Sequence, residues 1–219
     1  MIDILSAAAA VAADPFTTLQ AAPAHMDLWQ TFTTYTDHGI WHILTGYDHL
    51  LFVTALVLAA RNFWDLIKVV SAFTLAHTLT LTLSVLHVVH LSPQIVEPMI
   101  SASIVAVALD NILRPQQRAG VQRLALAFAF GLFHGLGFAG GLTDAMAGLP
   151  TVGLGTALAS FSLGVEIGHQ LVVIPVYLLL RYGRQRWEER FNHTTRRYGS
   201  AAISVAGSYF LVNALGWVG

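Results

Sequence analysis

Three imidazoles and a carboxylate fall within twelve residues, His38-Gly-Ile-Trp-His42-Ile-Leu-Thr-Gly-Tyr-Asp48-His49, and an apolar run from Leu50 to Ala60 follows directly. Ionisable groups cost several kcal/mol at membrane depth, so their presence against such a run points to binding or moving an ion. On one uninterrupted helix His38, His42 and His49, at i, i+4 and i+11, share a face within about 40° of one another. Asp48 then points about 100° away from His49. It either orients a ligand or reaches the ion itself because Gly46 breaks the helix.

The same chemistry recurs along the chain. His77 lies in Phe73-Thr-Leu-Ala-His77-Thr-Leu-Thr-Leu, His134 in Phe130-Gly-Leu-Phe-His134-Gly-Leu-Gly-Phe138, and Glu166 with His169 in Gly164-Val-Glu166-Ile-Gly-His169-Gln170. Each falls near the middle of an apolar stretch, so four stretches deliver imidazole or carboxylate to similar depth. Carboxylate and imidazole one turn apart, as in Glu166 and His169, can hold one metal. Thr74, one turn before His77, either holds an imidazole tautomer or bonds back to its own helix. Glu97, beside Pro98, is either an ion-capturing carboxylate or an exposed helix-start charge, the second being the simpler reading. Imidazole and carboxylate donors, no cysteine and only four methionines argue against Cu(I) and favour Ni²⁺, Co²⁺ or Zn²⁺.

The elements that must position these groups follow from composition. The chain has 219 residues, 55% hydrophobic and 11% charged, with mean hydropathy +0.63. A soluble domain carries about a quarter charged residues, so the pattern predicts an all-α, polytopic membrane protein. The expected architecture is a bundle of six transmembrane helices, or seven if the N-terminal segment adds one. The spans are predicted near 40–60, 67–89, 95–113, 122–141, 153–180 and 198–217, within a transmembrane domain of residues 29–219. Residues 1–28 are expected to form an extracytoplasmic tail or a signal-like segment. With alternating crossings all eleven Lys and Arg fall on one side. The positive-inside rule makes that side cytoplasmic and both termini extracytoplasmic.

The first and fourth spans would cross in opposite senses, and each carries a His with a glycine nearby (His42/Gly46 and His134/Gly137). That similarity is slight and leaves an inverted repeat open. Gly131/Gly135, Gly137/Gly141 and Gly164/Gly168 are small-xxx-small pairs that permit close helix approach. The chain has no phosphate loop for ATP hydrolysis, and its net charge of −1 gives no reason to expect nucleic acid.

Taken in order, His42-x5-Asp48-His49-Leu-Leu-Phe, Phe73-Thr-Leu-Ala-His77, Phe130-Gly-Leu-Phe-His134-Gly and Gly164-Val-Glu166 resemble the HupE/UreJ family. These are small bacterial membrane proteins associated with hydrogenase and urease that look like secondary nickel or cobalt transporters. The His-x5-Asp-His element is also similar to the His-x4-Asp-His signature of nickel/cobalt permeases. The resemblance implies His42, Asp48, His49, His77, His134 and Glu166 as site residues and the bacterial inner membrane as location. His169 stands where many relatives are expected to carry Gln, and adds a potential ligand.

The leading expectation is therefore a permease carrying a divalent transition metal inward without ATP, Ni²⁺ first and Co²⁺ or Zn²⁺ as alternatives. Its partners are the metal ion and the lipid bilayer, with a homo-oligomer or a metalloenzyme maturation system as further associations. Two other functions use the same residues. One is a membrane-embedded zinc hydrolase with Glu166 as general base on a metal-bound water. The other is a metal-binding accessory subunit of a membrane complex.

Overall fold

A computed structural model describes residues 26–60, 62–114, 120–146 and 149–216, without the side chains of Ala139 and of residues 188–193. The expected N-terminal tail, signal-like segment or seventh helix falls on residues 1–25, outside the described residues. Among those described there is no strand. The helices are α1 (Leu28–Thr45), α2 (Tyr47–Leu58), α3 (Phe63–Val85), α4 (Pro93–Leu113), α5 (Gly120–Gly137), α6 (Ala139–Ala145) and α7 (Thr151–Ala214). The all-α membrane class is borne out. Helices α3 and α4 and the Thr151–Trp187 part of α7 are long and apolar enough to cross a bilayer, and α1 with α2 makes a fourth when counted as one span.

Local chemistry sets the starts. Asp27 and Gln30 form a capping box on α1, the Asn62 side chain accepts from the Asp65 backbone on α3, and Pro93 occupies the first turn of α4.

Two breaks differ from the sequence reading. The helix carrying His38, His42 and His49 is not continuous: it bends by 71° between α1 and α2. Gly46 sits there in an extended conformation, where a Cβ would meet the His42 carbonyl at 2.8 Å and the Asp48 and His49 side chains at 3.2 Å. The shared i, i+4, i+11 face is thus lost, and the bend brings Asp48 and His49 to the His42 side together. The polar stretch 181–199, expected as a break, is instead helical within the 64 residues of α7. It holds no proline, and its six arginines and two glutamates favour helix.

α7 nevertheless turns back on itself. His169 lies beside His49 and Asn213 shares a cavity with Asp48, whereas a straight helix would hold the two roughly 66 Å apart. The reversal falls between Arg184, which donates to the Ala60 carbonyl at 2.8 Å, and Gly199, which packs on Leu58. The carboxyl end of α2 is tied down here: Asn111 donates to the Ala55 carbonyl at 2.8 Å and Arg123 reaches that of Leu56 at 3.4 Å. Cations at a helix C-terminus satisfy its free carbonyls and its dipole.

The helices pack in two reciprocal pairs. A Cβ at Gly39 would meet the Phe161 carbonyl and one at Gly164 the Thr36 carbonyl, and one turn further on a Cβ at Gly168 would meet Ile43, so α1 and the first limb of α7 run parallel and nearly touching. A Cβ at Gly131 would meet the Phe73 carbonyl and one at Gly135 that of His77, so α3 and α5 do the same. In each pair a glycine three residues before a histidine makes the approach possible (Gly39 before His42, Gly131 before His134).

The apolar core is divided. One cluster, at the end that carries the arginines, includes Phe52, Leu66, Val70, Phe73, Ile104 and Tyr177. The other, at the arginine-free end, includes Tyr35, Leu81, Leu142, Met146 and Phe161, with Phe138 against it. The histidines lie between them.

Candidate metal centre

Five imidazoles from five helices converge. The His49 ring on α2 lies 4.7 Å from that of His42 on α1, 5.1 Å from His134 on α5, 5.5 Å from His77 on α3 and 6.1 Å from His169 on α7. All are buried: His77, His134 and His169 are 0% exposed, His49 2% and His42 8%. Two sets bring their donor atoms within 4.8 Å of one another, namely His42, His49 and His77, and Asp48, His49 and His134. His49 belongs to both.

The hydrogen bonds fix which nitrogen of three rings is left over. The Asp48 carboxylate lies 3.2 Å from His49 Nδ1; an ionised carboxylate only accepts, so Nδ1 carries the proton and Nε2 keeps its lone pair. The Thr74 hydroxyl donates to the Val70 carbonyl at 3.2 Å, which leaves its oxygen to accept from His169 Nδ1 at 3.0 Å. The Ser103 hydroxyl likewise donates to the Ile100 carbonyl at 2.6 Å and accepts from His134 Nε2 at 3.0 Å. The lone-pair atoms are then His49 Nε2, His169 Nε2 and His134 Nδ1. These same atoms are buried without a hydrogen-bond partner, as are both ring nitrogens of His77. A buried polar atom left unpaired costs about 1–3 kcal/mol. Neutral imidazole lone pairs buried without a partner in one cluster fit a borderline divalent cation. Thr74 thus does both things weighed for it: it bonds back to its own helix and sets a tautomer.

The remaining candidates lie differently. Glu166 is half-buried, and its Oε1 accepts from Ser71 at 2.7 Å and from Gln170 at 2.8 Å; its Oε2 is buried without a partner. His38 is half-buried on α1, one turn before His42. Neither three-donor set includes Glu166, His38 or His169.

Aromatic rings close the cluster at both ends. Phe138 lies 4.2 Å from the His42 ring and stacks on Phe161 at 5.5 Å. Phe52 lies 4.9 Å from His134 and stacks on Phe73 at 4.7 Å. Sequence reading passed over these rings and the Ser103 bond. It also passed over a plain signal: His42 and His134 are 92 residues apart, and so are His77 and His169, and Gly39 and Gly131. A constant offset through two successive helices is the mark of a repeated unit. Because the reciprocal pairs match the first helix of one half with the second of the other, the two halves pack in equivalent ways.

The fold and this cluster together define a polytopic α-helical membrane protein with a buried polyimidazole centre. A family model described as HupE / UreJ protein matches residues 18–214, and the chain belongs to that family. No curated protein and no solved structure matches it.

Proposed function

We propose that the protein is a secondary permease for a divalent transition metal, Ni²⁺ first, working inward across the bacterial inner membrane. The observation that carries this is the position of His49, ringed by four imidazoles from four other helices. A permanent structural metal needs neither so many donors nor a donor common to two sets. A passing ion gains from both, because it exchanges ligands one at a time while its water shell is replaced. The family's association with nickel and cobalt handling supports the choice of ion.

Six crossings are the reading that the helix directions support. α1 runs parallel to the first limb of α7 and α3 runs parallel to α5, as alternating crossings require. The arginine-rich end is then cytoplasmic and both termini lie outside. His42 and His169 ride on one close-packed pair and His77 and His134 on the other, so the ion is held across the seam between them. Rocking of one pair against the other would open the Phe138/Phe161 end and the Phe52/Phe73 end in turn, as inverted repeats do. Glu166 and His38 flank the seam as further donors, and Asp48 orients His49 and faces the ion on one side.

The test is accumulation of radioactive Ni²⁺, Co²⁺ and Zn²⁺ in proteoliposomes, with metal analysis of the chelator-washed protein alongside. Uptake of at least one ion, by protein that retains none after washing, is the expected result. A metal that survives washing with no uptake would replace this reading with the enzyme. Orientation is checked by cysteine labelling: a cysteine at Thr18 should react from outside and one at Arg186 only after permeabilisation.

A further inference from the structure

A cavity of about 400 Å³ opens between the start of α2, the first turns of α4 and the end of α7, lined in part by Tyr47, Asp48, Glu97, Ser101 and Asn213. It has room for about a dozen waters at roughly 30 Å³ each, and among the described residues no lysine or arginine lines it. Every polar group named here offers oxygen, whereas the centre behind it offers chiefly nitrogen. Asp48 belongs to both places: it forms part of the cavity wall and its Oδ1 touches His49 Nδ1. Its side chain is 36% exposed, against 3% for His49, so it is the member of its three-donor set that looks out. Behind it, the buried His49 Nε2 and His134 Nδ1 have no hydrogen-bond partner.

We propose that this cavity is a capture site for a hydrated divalent cation, with Glu97 as its second carboxylate. It takes the ion with its water shell on oxygen ligands, and passes it to the imidazoles through Asp48. The proposal rests on the permease reading and adds to it a residue that touches none of the histidines. Two carboxylates lining one recess whose remaining wall includes the apolar Ile100, Phe210 and Ala214 concentrate cations before any dehydration takes place. A first stop whose carboxylates and hydroxyls are hard oxygen donors suits a hydrated ion, and the exchange to imidazole then selects among ions by softness. Glu97 is exposed, so replacing it leaves the packing of α4 intact.

The experiment uses the full chain in proteoliposomes and reads initial rates of Ni²⁺ uptake against external Ni²⁺, at low and high ionic strength. Glu97→Gln should raise KM about tenfold at low salt with kcat unchanged, and the dependence on salt should flatten. Glu97→Lys should raise KM further, and Ser101→Leu, which fills the recess without altering charge, should raise KM at every salt concentration. A Glu97→Gln protein with wild-type KM at both ionic strengths, or with reduced kcat at unchanged KM, overturns the capture site while leaving the permease intact. Absence of Ni²⁺ uptake by the wild type overturns the permease, and the capture site with it.

Discussion

The two halves of the chain share a frame but not a centre. Gly39 and His42 in the first answer to Gly131 and His134 in the second, and His77 answers to His169. Each half lends one helix to each close-packed pair. After the first histidine the halves part company. The first bends at Gly46 and continues through Asp48 and His49 into a twelve-residue helix. The second turns at Phe138 into a short helix that carries Gly140 and Gly141 at the matching positions. One half therefore supplies the central imidazole and its carboxylate, and the other supplies a phenylalanine that closes the arginine-free end. Repetition builds four walls, and departure from it builds the ligand in the middle.

The sharpest way to break this comparison is at the residue without a counterpart. His49→Ala removes the donor common to both three-donor sets, and the matching glycine has no side chain to take its place. Ni²⁺ binding by calorimetry and uptake should both fall by about 100-fold or more, while His193→Ala, among the arginines, should leave both unchanged. Equal behaviour of His49→Ala and wild type would make the centre structural.

Removing one of a matched pair should cost less, because its mate remains. His134→Ala and His42→Ala are each expected to weaken binding about tenfold to 100-fold and by similar amounts, as equivalent walls should. A large inequality between them would show that the repeat is one of packing only.

Much of this was legible in the sequence at the level of residues, and less at the level of geometry. Membrane class, helix content and the depth of His49, His77, His134 and His169 follow from hydropathy and counting. Asp48 was readable as a ligand only if Gly46 broke the helix, and the crowding around its Cβ position explains why a glycine stands there. The place of the reversal within α7 was readable from the polar stretch that parts two apolar spans, but its helical course was not, and contacts to Leu58 and Asn111 hold the returning limb. Nor was the Ser103 bond to His134, since it depends on how α4 is rotated against α5. Local pattern gives depth and periodicity; it does not give the angle at which one helix meets the next.

The smallest effect tests the finest difference between the halves. His169 is held by Thr74 of the first half, whereas the residue that matches Thr74 is Glu166, which turns instead to Ser71 and Gln170. His134 draws its support from Ser103 on α4. If these hydroxyls act by fixing tautomers, their loss should lower affinity without removing any donor. Thr74→Val keeps the shape and loses the acceptor, and Thr74→Ser restores the acceptor without the methyl. Valine should cost about tenfold in Ni²⁺ affinity, with serine close to wild type, and Ser103→Ala should behave like valine. Melting temperature in detergent separates this from plain packing: a loss of stability that tracks the loss of affinity, and that serine does not rescue, would make Thr74 a packing residue. A loss confined to affinity, and rescued by serine, would mean that each half orients an imidazole by a route the other does not use.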